Sequence, residues 1–158
     1  MSRPKQYFRA GAGAVIINQR GLVLALERAD VAGAWQLPQG GLDASEEPLP
    51  AAFREVTEET GIGAADLDLL DTYPEPLVYE LPVRMRTEKT GRGQVQYWYL
   101  FRFNGQDGAI DAITGGEFQA WRWTTMDDLL HTASDFRLSL YRKLADRFDP
   151  FLAKPEAD

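Results

Sequence analysis

The chain has 158 residues, enough for one compact domain with a real core but short for two. With no cysteine and a single histidine, His131, it excludes disulfides, thiolate nucleophiles, iron–sulfur clusters and cysteine- or histidine-built zinc sites. A net charge of −7 argues against non-specific coating of nucleic acid, though not against a phosphate substrate held locally by a divalent cation. Any catalysis here has to run mainly on carboxylates, whose natural partner is a hard metal such as Mg2+ or Mn2+.

Residues 10–17 are small and apolar and pass through Asn18, Gln19, Arg20 and Gly21 into the apolar run 22–26, the signature of two neighbouring strands. The run 11–17 is far too short to span a bilayer, and residues 1–10 lack the apolar segment of a secretory signal; a cytoplasmic chain without a membrane partner is expected. Pro38 to Gly41 break the chain, and a helix is predicted over 48–60. Pro48 and Pro50 fit its first turn, where amides lack internal partners, and Gly61 fits a left-handed C-cap.

Strands are predicted over 67–73, 77–85, 94–103 and 118–123. A final helix over 136–148 sets Phe136, Leu140, Leu144 and Phe148 four apart on one face. The polar tail after Pro150 reads as loose. No repeat or linker interrupts this order, so a single α/β domain over 1–158 is expected, its core near 8–148.

The chemistry concentrates in residues 40–62, GGLDASEEPLPAAFREVTEETGI. On a helix, Glu55, Glu58 and Glu59 stand at i, i+3 and i+4 and project from one side. Three like charges so close are tolerated on an open surface or made favourable by a divalent cation with oxygen ligands. Arg54 is placed to orient or neutralise them, and Glu46 to brace the loop before the helix.

Gly40, Glu46, Arg54, Glu55, Glu58, Glu59 and Gly61, with aliphatic Val56 and Ile62, resemble the Nudix box at every defining position. Ser45 departs mildly, standing where many members have glycine. The resemblance implies a Nudix fold, an α/β/α sandwich with a mixed β-sheet. It further implies a metal-dependent hydrolase of phosphoanhydrides working by water attack on phosphorus, with no covalent intermediate. By analogy Glu55, Glu58 and Glu59 would bind the metal, with a backbone carbonyl near Gln39 or Gly40 completing the shell and a glutamate helping to remove the proton.

Flanking segments resemble two groups within that family, hydrolases of diadenosine tetraphosphate and RNA pyrophosphohydrolases. Trp35 to Gly41 is similar to their WQxPQGG entry, Gly93 to Trp98 to their GQxQxW strand, and Glu117 to Trp123 to their EFxxWxW segment. Asp135, Phe136, Arg137 and Tyr141 are similar to their final-helix motif. The resemblance implies that Glu117 is a further metal ligand or base. It implies that Arg9, Arg28, Gln39, Tyr79, Phe136 and Arg137 face the substrate, a nucleotide or an RNA 5′-end.

Arginine suits such a substrate because its planar fork pairs two phosphate oxygens at once. The four tryptophans read more readily as core than as ligand contacts. Arg84, Arg86, Lys89 and Arg92 make a basic loop that is either merely solvated or placed for a longer polyphosphate. Arg137 stands where these groups more often carry lysine, and residues 83–92 match neither group. Two other readings remain open at this stage: a Nudix hydrolase of another nucleoside diphosphate derivative such as a nucleotide sugar, and a silent domain that only binds nucleotide or RNA. No obligatory protein partner is implied.

Overall fold

The structure is a computed structural model, described here for residues 6–155; residues 1–5 and 156–158, and with them the ends of the 1–158 domain expectation and part of the signal-segment reading, lie outside the described residues. One mixed sheet forms the middle layer. Its strands are β1 (Phe8–Ile17), β2 (Val23–Arg28), β3 (Trp35–Gln36), β4 (Gln39–Gly41), β5 (Leu67–Thr72), β6 (Leu77–Glu80), β7 (Gly93–Phe103) and β8 (Phe118–Thr124). The order is β3-β2-β1-β7-β5, with β4 on β1, β6 on β7 and β8 on β2.

Among the described residues the one parallel pairing, β1 with β7, runs in register from Phe8 opposite Gly93 to Ile17 opposite Arg102. Because side chains alternate across a strand, this register sorts β1 into two faces. Ala12, Ala14 and Ile16 join Ala51, Ala52 and Val56 of α1 (Pro48–Thr60) in one buried cluster. Val15 and Ile17 join Trp98, Leu100, Leu140, Tyr141, Leu144 and Phe148 in the other, under α2 (Met126–Thr132) and α3 (Asp135–Phe148). The α/β/α sandwich with a mixed sheet is therefore as expected.

Helix α1 begins and ends where the sequence places it: Pro48 and Pro50 occupy the first turn, and Gly61, at φ 75°, donates its amide to Thr57 O at 2.9 Å. Ser45, in the loop before it, also has a left-handed backbone at φ 73°, which explains why glycine suits that position.

Two expectations need correction, and one element is new. Strand β6 stops at Glu80 rather than running to residue 85: Pro82 lacks an amide for the ladder, and Val83–Met85 turn into a 3₁₀ helix instead. The tail after Pro150 is tied down through residue 153, since Leu152 is only 8% exposed and Ala153 N donates to Gly21 O at 2.9 Å. Helix α2, capped by Thr125 Oγ1 accepting the Asp128 amide, was not expected at all. No helix among the described residues is long and apolar enough to cross a membrane.

Candidate active site

Helix α1 presents Glu55, Glu58 and Glu59 along one edge, and Glu117 faces them from the residue just before β8. The four carboxylates line a pocket of about 140 Å³ closed by Ala112, Gly115 and Phe118. A bulge between β2 and β8 helps to aim Glu117. Glu27 pairs with Ala120 but Arg28 with Phe118, so one extra residue on β8 re-aims the chain at this point. Glu117 Oε1 then lies 3.8 Å from Arg28 Nη1.

Arg54 organises the outer side of the group. Its Nε and Nη2 pair with the two oxygens of Glu46, each at 2.8 Å, and Nη2 also donates to Gly41 O at 2.8 Å. Its Nη1 donates to Glu55 at 2.8 Å and to Glu58 at 3.2 Å. Hydrogen bonding to Arg54 pulls the Glu46 carboxyl down to about 2. Burial pushes Glu55 up, against the pull of Arg54.

Glu59 is the buried member, 7% exposed. Its Oε1 accepts the Gln39 amide at 3.3 Å, while its Oε2 is buried with no partner. Burial, then the charges of Glu117 and Glu55, hold its carboxyl well above the usual range. A buried carboxylate ringed by others is relieved either by the proton that this upward shift retains or by a cation that completes it. Gly40 adds a shape argument, because a Cβ there would fall on the Glu55 carboxylate. The donor set, all oxygen and with one orphaned atom, fits a hard divalent cation.

The carboxylates are not gathered into a ready cage. Among the described residues, the group whose ligand atoms lie within 4.8 Å of one another is Asp127, Asp128 and His131, exposed on α2. The physical reason is visible at Arg54, which draws Glu55 and Glu58 outward while Glu59 turns to Gln39.

The expected substrate-facing residues divide. Arg28, Phe136 and Arg137 line an open cleft of about 930 Å³, whose other wall is Val83, Arg84, Met85 and Arg86. Arg28 lines this cleft and reaches toward the carboxylate pocket through Glu117; Asp30 grips its Nε and Nη2 at 2.8 and 3.1 Å, and Nη1 reaches Gln36 Oε1 at 3.1 Å. Its hydrogen bonds to Asp30 raise its pKa further.

Arg137 lies 4.5 Å over the Phe136 ring, and Phe136 packs 6.0 Å from the buried Tyr79. Tyr79 therefore forms the base of this wall rather than its surface, and burial pushes its phenol up. Arg9 lines neither cavity; its guanidinium covers the space that a side chain on Gly41 would need. Gln39 takes a side-chain hydrogen bond from Gln96. Of the tryptophans, Trp98 is core, whereas Trp35 carries Arg122 3.9 Å over its ring.

Sequence reasoning gave no role to Gln36, Asp30 or Gln96. Gln36 and Gln96 are both buried polar residues inside strands. A glutamine within an otherwise apolar or aromatic strand was the available signal, since such an amide has to find partners.

The NUDIX domain family model matches residues 7–144, and the chain belongs to the Nudix family. It is a hydrolase acting on phosphorus-containing anhydrides, a pyrophosphohydrolase, and enzymes of this kind generally need a divalent metal. It is 40% identical over 148 residues to the "RNA pyrophosphohydrolase" of Erythrobacter litoralis, covering 89% of this chain and 90% of that protein. It is 42% identical over 141 residues to the "RNA pyrophosphohydrolase" of Rhodospirillum rubrum, covering 87% and 84%. Among solved structures it resembles a C. elegans Ap4A hydrolase binary complex, with a TM-score of 0.69, 25% identity, and 90% and 98% coverage.

Proposed function

We propose that the substrate is the 5′-triphosphorylated end of RNA, converted to a 5′-monophosphate. The observation that carries this reading is the cleft of about 930 Å³ joined to the carboxylate pocket through Arg28. That volume is at the upper end for a small-ligand site, and in its lining Arg28, Arg84, Arg86 and Arg137 outnumber Asp30, Glu80 and Asp135. The curated relatives of about 40% identity support the same substrate.

In this reading Glu55, Glu58, Glu59 and Glu117, with the carbonyl of Gly40, hold Mg2+ or Mn2+. A bound cation would supply Lewis acidity for a phosphoryl oxygen and lower the pKa of a water. Arg54 keeps Glu55 and Glu58 oriented, and one of the glutamates takes the proton from the attacking water. The anhydride oxygen leaves. Arg9, Arg28 and Arg137 pair with phosphate oxygens, Gln39 orders the loop beneath them, and Phe136 stacks on a base with Tyr79 as its backing. The chain works as one catalytic domain, and the cytoplasm, where RNA ends and nucleotides are plentiful, is its place of action.

A second reading, cleavage of a dinucleoside polyphosphate, is favoured by the likeness to the C. elegans Ap4A hydrolase. The test is a short 5′-triphosphorylated RNA incubated with Mg2+ in ¹⁸O-water. A 5′-monophosphate end should appear, stop on chelation, and leave ¹⁸O on a phosphorus-containing product. An unchanged RNA end would overturn the proposal.

A further inference from the structure

The connection between β3 and β4 is only Leu37 and Pro38, yet it sets the backbone that meets the α1 glutamates. It is held from two sides. Pro38 O accepts the Ala14 amide at 3.0 Å. The Leu37 amide donates to the hydroxyl of Tyr141 at 2.9 Å, a buried hydrogen bond spanning 104 residues of sequence. Tyr141 is 1% exposed and meets Trp98 edge-on, with ring centroids 6.2 Å apart. Trp98 Nε1 donates to Gln96 Oε1 at 3.1 Å, and Gln96 in turn donates to the side-chain carbonyl of Gln39.

Both ends of the short segment therefore lead back to the neighbourhood of one phenol. Immediately beyond it, the Gln39 amide donates to Glu59 and Gly40 leaves room for the Glu55 carboxylate. A small displacement of this backbone would withdraw the donor from Glu59 and change the space available to Glu55.

We propose that Tyr141 is a positioning residue for the reaction: by holding the Leu37 amide, its hydroxyl fixes where residues 39 and 40 meet the cation-binding glutamates. It lines neither the carboxylate pocket nor the substrate cleft and acts through the loop. The same helix carries Phe136 and Arg137, so the cleft wall and the glutamate loop share one support. The proposal rests on the cation reading of the glutamates.

Tyr141→Phe keeps the ring and its contact with Trp98 and removes only the acceptor for Leu37. The comparison is Leu144→Ala, which deletes a fully buried side chain one turn further along α3 from the same core cluster but removes no hydrogen bond to the loop. Mn2+ binding is measured directly, from the loss of the free-ion electron paramagnetic resonance signal, alongside kcat and KM on triphosphorylated RNA. Tyr141→Phe should weaken Mn2+ binding about fivefold, the value of one ordinary hydrogen bond, and lower kcat with little change in the RNA KM. Leu144→Ala should lose more thermal stability yet bind Mn2+ as the wild type does. Unchanged Mn2+ affinity in Tyr141→Phe, or an equal loss in Leu144→Ala, would overturn the proposal. A wild-type protein that bound no Mn2+ would overturn the cation reading itself.

Discussion

Arg54 and Glu46 form a two-pronged pair, Nε to Oε2 and Nη2 to Oε1, each at 2.8 Å. The pair leaves one guanidinium nitrogen, Nη1, directed at Glu55 and Glu58. A bidentate arginine is fixed in plane as well as in position, so Glu46, eight residues before Arg54 and in no helix itself, determines where that remaining nitrogen points. The loop carboxylate thereby sets the electrostatics of the helix carboxylates. Glu59 lies beyond this reach and keeps an unpartnered oxygen.

Glu59→Gln separates chemistry from stability. Turnover should fall by roughly 10²- to 10⁴-fold, the range for loss of one acid–base or ligand group. The folded-state pKa of Glu59 is raised above its ordinary value of 4.5, so the folded chain holds this proton more tightly than the unfolded chain. Its stabilising contribution is complete below that value and is lost as pH rises through the raised folded value. Glu46, whose pKa is lowered to about 2, acts in the opposite sense: its contribution is present above pH 4.5 and lost as pH falls toward 2. In chelated protein Glu59→Gln should therefore melt higher than wild type at pH 8, with the gap narrowing toward pH 5. Thermal melts across that range check the sign, and a lower melting temperature at pH 8 would contradict it.

Gly40→Ala tests the close approach to Glu55. The clash falls on the far end of a flexible side chain, so the glutamate should move aside and the fold should survive. Circular dichroism should show a melting temperature within a few degrees of wild type. Activity should drop at least tenfold and require more Mg2+. Wild-type activity at wild-type Mg2+ would remove Gly40 from the site.

Ser45→Gly should stabilise the chain. A non-glycine residue at φ 73° costs about 1–2 kcal/mol, of which glycine's greater chain entropy returns about 0.5–1 kcal/mol. A rise of about 2 °C in melting temperature is expected, with kcat unchanged. A fall in melting temperature would show that the Ser45 side chain makes a contribution larger than the backbone strain.

Phe136→Ala should raise KM for RNA roughly tenfold, in line with the loss of one base–aromatic stack, while lowering the melting temperature only slightly. The ring is half-buried at the cleft wall, packed against the edge of the core. A large thermal loss with unchanged KM would make Phe136 a packing residue.

Helix α1 was legible because its signals are local: prolines in the first turn, a glycine cap, and glutamates at i, i+3 and i+4. The end of β6 was misread because Val83 and Met85 extend its apolar pattern, yet Val83 is 77% exposed. Their apolar side chains line the cleft, and a strand pattern cannot distinguish that use from burial. Helix α2 has seven residues, too few for a clear 3.6-residue period. The Tyr141–Leu37 bond and the Gln96–Gln39 bond span 104 and 57 residues. They follow from the parallel register of β1 with β7 and from α3 packing across it, which only the assembled sheet reveals.

The most direct measurement is a competition in one vessel, with Mg2+, equal concentrations of diadenosine tetraphosphate and a short 5′-triphosphorylated RNA, and products resolved by anion exchange. Preferential conversion of the RNA to its 5′-monophosphate is expected. Preferential release of ATP and AMP, with the RNA end left intact, would contradict RNA as the substrate and leave the dinucleoside polyphosphate reading in its place.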